Sequence, residues 1–306
     1  MTPRHDPAAA VAALRRAIPY LRLYQGRIFV VKAGGEAFAT RESSLRLLEQ
    51  VGILHQLGIR AVLVHGGGPQ ATALGQRLGV EAQFVGGRRV TGLEALEAAI
   101  LALNGQVSTA ILGACRELGL PGLGVSGVDA GLLRARRRPM RETAEGMIDY
   151  GFVGDLEDVD ASVLLRLLDQ GFLPVVSPLS ADAAGTLLNV NADDAAARLA
   201  CALGAVKLIL ATGAAGILRY PDDPRSVVSY TDLEGLRELR AGAALREGML
   251  PKAEAIEAAL NGGVARVHVV SFRVADSLLM EVFTNEGSGT LIVSSREALR
   301  PAELAT

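Results

Sequence analysis

The sequence predicts an α/β protein: a three-layer αβα sandwich around a central, mainly parallel sheet, with an extension helix ahead of the first strand. Two observations carry this. Apolar strand-like runs that do not alternate with polar residues are separated by amphipathic helical stretches, the pattern of a sheet covered on both faces. Half of the 306 residues are hydrophobic but only 4% are aromatic, with no Trp, so a large core must be built from Ala, Val, Leu and Ile.

The elements follow in order. Val11, Leu14, Ile18 and Leu21 recur at helical spacing and give residues 1–25 one apolar stripe. Strands are expected at Arg27–Lys32, Arg60–His65, Gly122–Ser126, Leu173–Ser177, Val206–Ala211, Arg266–Ser271 and Thr290–Ser294. Between them, helical patterns cover Glu42–Leu57, Gln70–Leu78, Leu93–Leu118, Ala161–Asp169, Asp193–Leu203 and Lys252–Asn261. The charged, turn-rich stretch Val128–Val159 breaks this rhythm and reads as a hairpin-like insertion or lid, with a short strand at Ile148–Val153. No linker marks a boundary. A single continuous domain over 26–295 is expected, its two lobes (26–180 and 181–306) meeting near Leu179–Gly185, where Pro178, Ser180, Asp182 and Gly185 cluster.

Composition excludes some functions. Lys and Arg number 31 against 33 Asp and Glu, a net charge of −2, so no global field favours nucleic acid or a membrane surface. The Arg134–Arg138 cluster then reads as a solvated loop face. Cys115 and Cys201 sit among small apolar residues in helical stretches and read as buried thiols rather than a disulfide or metal pair, which fits a reducing cytoplasm. Arg4, Arg15 and Arg16 interrupt residues 1–25, so no signal peptide is expected. No run of ~20 apolar residues is expected to span a bilayer.

Three segments carry chemistry: Val31-Lys32-Ala33-Gly34-Gly35, Val64-His65-Gly66-Gly67-Gly68-Pro69-Gln70 and Asn189-Val190-Asn191-Ala192-Asp193. The first two are strands that break into glycine before a helix. Such turns expose unpaired backbone N–H groups at the positive end of a helix dipole, which attracts anions. With Lys32 beside the first turn, a phosphoryl-handling enzyme is the leading reading. Gly122-Leu123-Gly124-Val125-Ser126-Gly127 matches G-x-G-x-x-G but coincides with a strand and no clear helix follows, so it is set aside. No G-x-x-x-x-G-K-[ST] is present, and His65 reads as structural.

Lys32-x-Gly34-Gly35, His65 through Gln70, Arg89-Val90-Thr91, Asn189-x-Asn191-Ala192-Asp193 and Gly248-Met249-x-x-Lys252 occur in one order and spacing. From about Ala17 to about Val293, the chain resembles the N-acetylglutamate kinases of the amino-acid kinase fold. The resemblance implies ATP-dependent phosphorylation of the γ-carboxylate of N-acetyl-L-glutamate, with Mg²⁺ accompanying ATP and no metal ligand named. It makes Lys32 and Lys252 the cations flanking the transferred group, and Asp193 the residue that organises them. On the residues alone, Asp193 also reads as a first-turn helix cap. Gly67, Gly68, Arg89 and Asn189 are implied for the amino-acid substrate. Gly34, Gly35, Gly213, Gly216, Gly248 and Met249, with the backbone near Ala244–Arg246, are implied for the nucleotide. This makes 26–180 the substrate lobe and 181–306 the nucleotide lobe. Gly213 stands where most of the family carries aspartate, and Val128 where many carry lysine. Arginine-sensitive members carry an N-terminal helix and a Glu…Gly-x-Gly-Thr stretch like Glu281 to Thr290. Inhibition by L-arginine through Lys207, Glu281, Gly287 and Gly289 is therefore implied, as is a hexamer arranged as a trimer of dimers. Arg27–Phe38, Gln50–Leu63 and Ser271–Val293 also resemble the kinase-like domain of N-acetylglutamate synthases, which can serve as an arginine-binding module without phosphorylating anything. A kinase for carrier-borne glutamate or aminoadipate is a further alternative. The synthase needs an acetyltransferase domain, and the chain ends at Thr306. Retention of Lys32, Asp193 and Lys252 favours a working kinase.

Overall fold

The computed structural model describes residues 7–85, 88–143, 146–242, 245, 247–284 and 287–295. Its centre is an eight-stranded sheet. In spatial order the strands are Tyr230–Asp232, Thr290–Val293, Arg266–Ser271, Lys207–Thr212, Ile28–Ala33, Arg60–His65, Leu173–Ser177 and Gly122–Ser126. The run from Arg266–Ser271 to Gly122–Ser126 is parallel throughout, while Thr290–Val293 pairs antiparallel to Arg266–Ser271 and closes the edge with Tyr230–Asp232.

The continuous apolar strands divide their side chains between two cores, as a two-residue period requires. Val30, Val62, Val64, Leu208 and Leu210 join one core with helices Ser162–Asp169, Ala192–Ala202, Leu233–Ala241 and Leu250–Asn261. Phe29, Val31, Leu63, Ile209 and Ala211 join the other with helices Arg41–Gln56, Thr109–Glu117 and Ser277–Phe283. Lys32 has the parity of Val30, which turns it toward the helix Ala192–Ala202. From the strand Ile28–Ala33 the chain first builds the sheet on one side, through Arg60–His65, and later returns to the other side with Lys207–Thr212. The strand Ile28–Ala33 therefore borders the point where strand order reverses. Open α/β sheets bind ligands there, beyond the carboxyl ends of the strands.

The insertion is more elaborate than one hairpin. Leu133–Arg137 and Gly154–Val159 pair antiparallel and join Leu179–Ala181 and Leu187–Asn189 in a separate four-stranded sheet. The strand expected at Ile148–Val153 instead covers Gly146–Ile148, followed by isolated bridges at Gly151 and Val153. Across the insertion, Arg134 pairs with Asp158, Arg136 with Glu157, Arg137 with Asp149 and Arg138 with Asp155. The proposed lobe break at Leu179–Gly185 is the start of a hairpin in this second sheet.

Leu93–Glu117 is helical throughout, but Leu101–Ser108 is a π-helix rather than a continuation of the α-helix. Its most apolar stretch has a mean hydropathy of 1.5, but Asn104 and Gln106 interrupt that stretch. The helix packs against helices Arg41–Gln56 and Gly68–Arg77 and the strand Leu173–Ser177. The helix Pro7–Tyr24 is anchored at its C-terminal end: Tyr24 is buried edge-on against Phe29, while Val11, Leu14 and Ile18 of the stripe are exposed.

Candidate active site

Two glycine turns meet at the carboxyl ends of the central strands. The Gly34-Gly35 turn leaves the strand Ile28–Ala33, and Gly66-Gly67-Gly68 leaves Arg60–His65. A Cβ on Gly35 would stand 2.9 Å from the Gly67 Cα, so the turns touch backbone to backbone. The Gln70 amide clamps them by donating to the Gly35 carbonyl at 2.7 Å. Together they floor a cleft of about 540 Å³.

Asp193 stands at the centre of the cleft. Its helix, Ala192–Ala202, is capped by Asn191, whose side-chain oxygen accepts from the Asp193 and Asp194 amides at 2.8 and 3.1 Å. Asn191 does the capping that Asp193 was equally suited for, and the Asp193 carboxylate is left to the lysines. Lys32 Nζ lies 2.8 Å from Asp193 Oδ1 and Lys252 Nζ 3.3 Å from Oδ2. Burial works to raise the pKa of this carboxyl, but the charges and hydrogen bonds of both lysines outweigh it and hold the group below the usual aspartate value. Burial lowers the pKa of Lys32, and the like charge of Lys252 lowers it further, against the pull of Asp193. Lys252 is the third residue of helix Leu250–Asn261, not its first, and is held beside the Gly248 carbonyl at 3.5 Å.

Arg89 and Asn189 close another wall of the cleft. Arg89 lies on the short strand Arg88–Val90, stacks on Phe84 with its guanidinium carbon 4.9 Å from the ring centroid, and donates to the Gly68 carbonyl at 3.3 Å and to the Thr72 hydroxyl. Thr91, fully buried, pins this segment: its N–H donates to the Tyr150 carbonyl at 2.9 Å and its carbonyl accepts from Phe152 at 2.7 Å. Asn189 joins it by donating to the Thr91 hydroxyl at 3.5 Å and to the Phe152 carbonyl from its backbone at 2.8 Å. Gly151 is required here, because with φ +71° a Cβ would strike the Thr91 carbonyl oxygen at 2.3 Å. The insertion thus holds the arginine and asparagine in place.

The remaining residues expected from sequence divide. Gly213 and Met249 line the cleft with Gly34, Gly35, Gly67 and Gly68. Gly248 reaches the site through its carbonyl, which accepts from Lys252, and Gly216 packs outside the cleft, its Cβ position 2.6 Å from the Thr290 hydroxyl. Ala244 and Arg246 lie outside the described residues. Lys207 is at the opposite end of its strand from the cleft, in a buried relay that sequence reading did not resolve. Its Nζ is 2.8 Å from His268 Nε2, and His268 Nδ1 is 2.7 Å from Glu281 Oε1. An ammonium only donates, so Nε2 accepts and Nδ1 carries the proton that goes to Glu281. The Ser288 and Gly289 amides donate to Glu281 Oε2 at 2.7 and 3.0 Å, and Gly287, at φ +63°, folds against the same oxygen. Both Glu281 carboxylate oxygens are therefore hydrogen-bonded within the chain. His268, missed in the sequence, carried a signal only as a histidine inside an apolar strand. Glu36, Leu103 and Phe272 also line the cleft and were missed, since nothing in their spacing marks them.

The family model for the amino acid kinase family matches residues 27–271. The chain belongs to this family. Among its relatives, acetylglutamate kinase of Myxococcus xanthus is 42% identical over 297 residues, covering 95% of this chain and 96% of the relative. Acetylglutamate kinase of Symbiobacterium thermophilum is 40% identical over 284 residues, covering 92% and 97%. Among solved structures, N-acetylglutamate synthase from Neisseria gonorrhoeae complexed with coenzyme A and L-arginine superposes with a TM-score of 0.81 at 28% identity. That match covers 93% of this amino acid kinase and 65% of the synthase chain. Carbamate kinase from Giardia lamblia bound to AMP-PNP shares the fold, with a TM-score of 0.63 at 16% identity.

Proposed function

We propose that this protein transfers the γ-phosphoryl group of ATP to the side-chain carboxylate of N-acetyl-L-glutamate, giving N-acetyl-L-glutamyl 5-phosphate for arginine biosynthesis. It is a phosphotransferase with a carboxyl acceptor. The observation that carries this is the Lys32–Asp193–Lys252 cluster above two abutting glycine turns. It is joined by the relatives' shared identity over nearly the whole chain.

In the reaction a carboxylate oxygen attacks the γ-phosphorus, the bond from that phosphorus to the β,γ-bridging oxygen breaks, and ADP leaves. No proton moves, so no general base is needed. An anion must approach a polyanion, and the protein contributes in-line positioning and positive charge. Lys32 and Lys252 supply that charge on either side of the moving phosphoryl group. Asp193 holds both ammonium groups within one site despite their repulsion. The turn amides at Gly34, Gly35, Gly67 and Gly68 receive phosphate and carboxylate oxygens. Arg89 presents a planar fork to the substrate α-carboxylate, and Asn189 donates to and accepts from the acetamido group.

Mg²⁺ would accompany ATP and supply further positive charge to its phosphates. Magnesium is held by nucleotide phosphates and water with few protein ligands, and Asp193 is already committed to two lysines. We place the enzyme in the cytoplasm, with residues 26–180 binding the amino acid and 181–306 the nucleotide. The exposed stripe of helix Pro7–Tyr24 supports assembly into a hexamer. Tyr24, at the foot of that helix, lies 5.1 Å below the Lys207 ammonium. That contact supports a link between the helix and the Lys207–His268–Glu281 relay, which we read as the place where L-arginine acts.

Trapping the acyl phosphate as a hydroxamate, with N-acetylglutamate, glutamate, aspartate and aminoadipate offered in turn, tests the reading. ATP-dependent product with N-acetylglutamate well above the others is expected. Product only with a non-acetylated acid, or none at all, would overturn it.

A further inference from the structure

The mouth of the cleft carries a cation that the reaction above does not use. Arg273 lies just beyond the strand Arg266–Ser271, next to Phe272, which lines the cleft. Its guanidinium lies against Gly213: a Cβ built there would meet Nη2 at 3.3 Å and both Cζ and Nε at 3.4 Å. Three guanidinium atoms at nearly equal distance mean that its flat face covers the glycine. Gly213 itself lines the cleft, so only a bare backbone separates this cation from the cavity.

Arg273 is weakly committed. Nη2 is 3.8 Å from Glu36 Oε2, beyond hydrogen-bond range, and the two side chains are 67% and 62% exposed. Among the described residues its guanidinium makes no hydrogen bond. An exposed pair at this separation contributes little to stability and is easily exchanged. Its partner is also poorly suited to its surroundings. Glu36 sits in the short helix Gly35–Phe38 and lines the cleft beside Gly34 and Gly35, where its carboxylate would repel an incoming polyphosphate.

Taking the cleft as the ATP site, we propose that Arg273 is a nucleotide-binding residue that leaves Glu36 for the polyphosphate of ATP. The planar fork of arginine fits phosphate oxygens better than a single distant carboxylate oxygen. In the free protein the Glu36–Arg273 pair spans from the first glycine turn to the end of the strand Arg266–Ser271. Nucleotide binding replaces that span with a tighter one through phosphate.

The test is equilibrium binding of ATP, ADP and adenosine to full-length wild type, Arg273→Ala, Arg273→Lys and Glu36→Gln, with KM for N-acetylglutamate as a control. Arg273→Ala should weaken ATP and ADP by about 10-fold or more, the scale of a charge-assisted hydrogen bond. Adenosine binding and the KM for the amino acid should not move. Arg273→Lys should recover part of the loss, and Glu36→Gln should tighten ATP. Equal losses for ATP and adenosine, or unchanged ATP binding in Arg273→Ala, would overturn the role while leaving the ATP site intact. Wild type that fails to bind ATP would overturn the site as well.

Discussion

At the scale of single residues, the site is a balance of three charges, with Lys32 and Asp193 buried and Lys252 half-buried. Lys32, Asp193 and Lys252 sum to one positive charge, and each is placed by a different element. Lys252→Ala removes a preorganised cation from the transferring group and should lower kcat by at least ~10²-fold. Near-native kcat in that variant would remove Lys252 from the mechanism. Arg89→Lys retains charge but loses the fork. It should raise KM for the amino acid and leave KM for ATP nearly unchanged; parallel changes in both would show that Arg89 does not bind the α-carboxylate. Lys32 was legible in the sequence because a lysine at a strand end beside a glycine turn leaves a spacing pattern, whereas Lys252, Asp193 and Arg89 were read through the family's motifs. Arg273 and Glu36 were not legible, because their meeting depends on how two strand ends lie across a sheet, which no local spacing encodes. Gly216 looks in sequence like Gly213, and only the fold shows that it packs on Thr290.

At the scale of elements, the parallel strands were read closely because burial on both faces leaves unbroken apolar runs. The second sheet was not, since its strands Leu133–Arg137 and Gly154–Val159 are charged on the solvent side and short. The π-helix did leave a trace. Ala102 and Leu103 are buried, and Val107 and Ser108 repeat that pair five positions on, a wider spacing than an α-helix gives. Its role is to seat Leu103 and Val107 on the second glycine turn: a Cβ at Gly67 would meet Leu103 Cδ2 at 2.7 Å and Val107 Cγ2 at 3.3 Å. Gly67→Ala should therefore cost about 1–3 kcal/mol, as overpacking does, and lower activity. Adding Leu103→Ala should restore part of the lost thermal stability. If the two losses simply add in denaturation experiments, this contact is not what constrains the turn.

At the scale of the whole molecule, charge and assembly set the predictions. His268 is buried, and that burial, with Lys207 beside it, pulls its pKa from 6.5 down to about 4 despite Glu281. Burial pushes Glu281 up, but His268 and the Ser288 and Gly289 amides bring it from 4.5 down to about 2. In both cases the unfolded chain binds a proton that the folded chain refuses. Stability thus rises with pH across the window from about 4 to 6.5 for His268, and is lost as pH falls through it. His268→Asn should flatten the dependence of Tm on pH in that window. An unchanged slope would show that another group, such as His65, sets it. Deleting residues 1–25 should give smaller assemblies by light scattering and abolish arginine inhibition while activity persists. Full-length protein that runs as a dimer and ignores millimolar arginine would sink both the hexamer and the inhibition. The strand Lys207–Thr212 joins these concerns. It is paired in register along all of its length with Arg266–Ser271, and over Lys207–Ala211 with Ile28–Ala33. Its first residue enters the His268 relay and its last leads into Gly213 at the cleft. A strand pinned on both sides cannot slip by a fraction of its pairing register, so it behaves as a stiff rod about 20 Å long. A push on the buried ammonium at one end would arrive at the other as displacement of the cleft wall, with little lost to slack between.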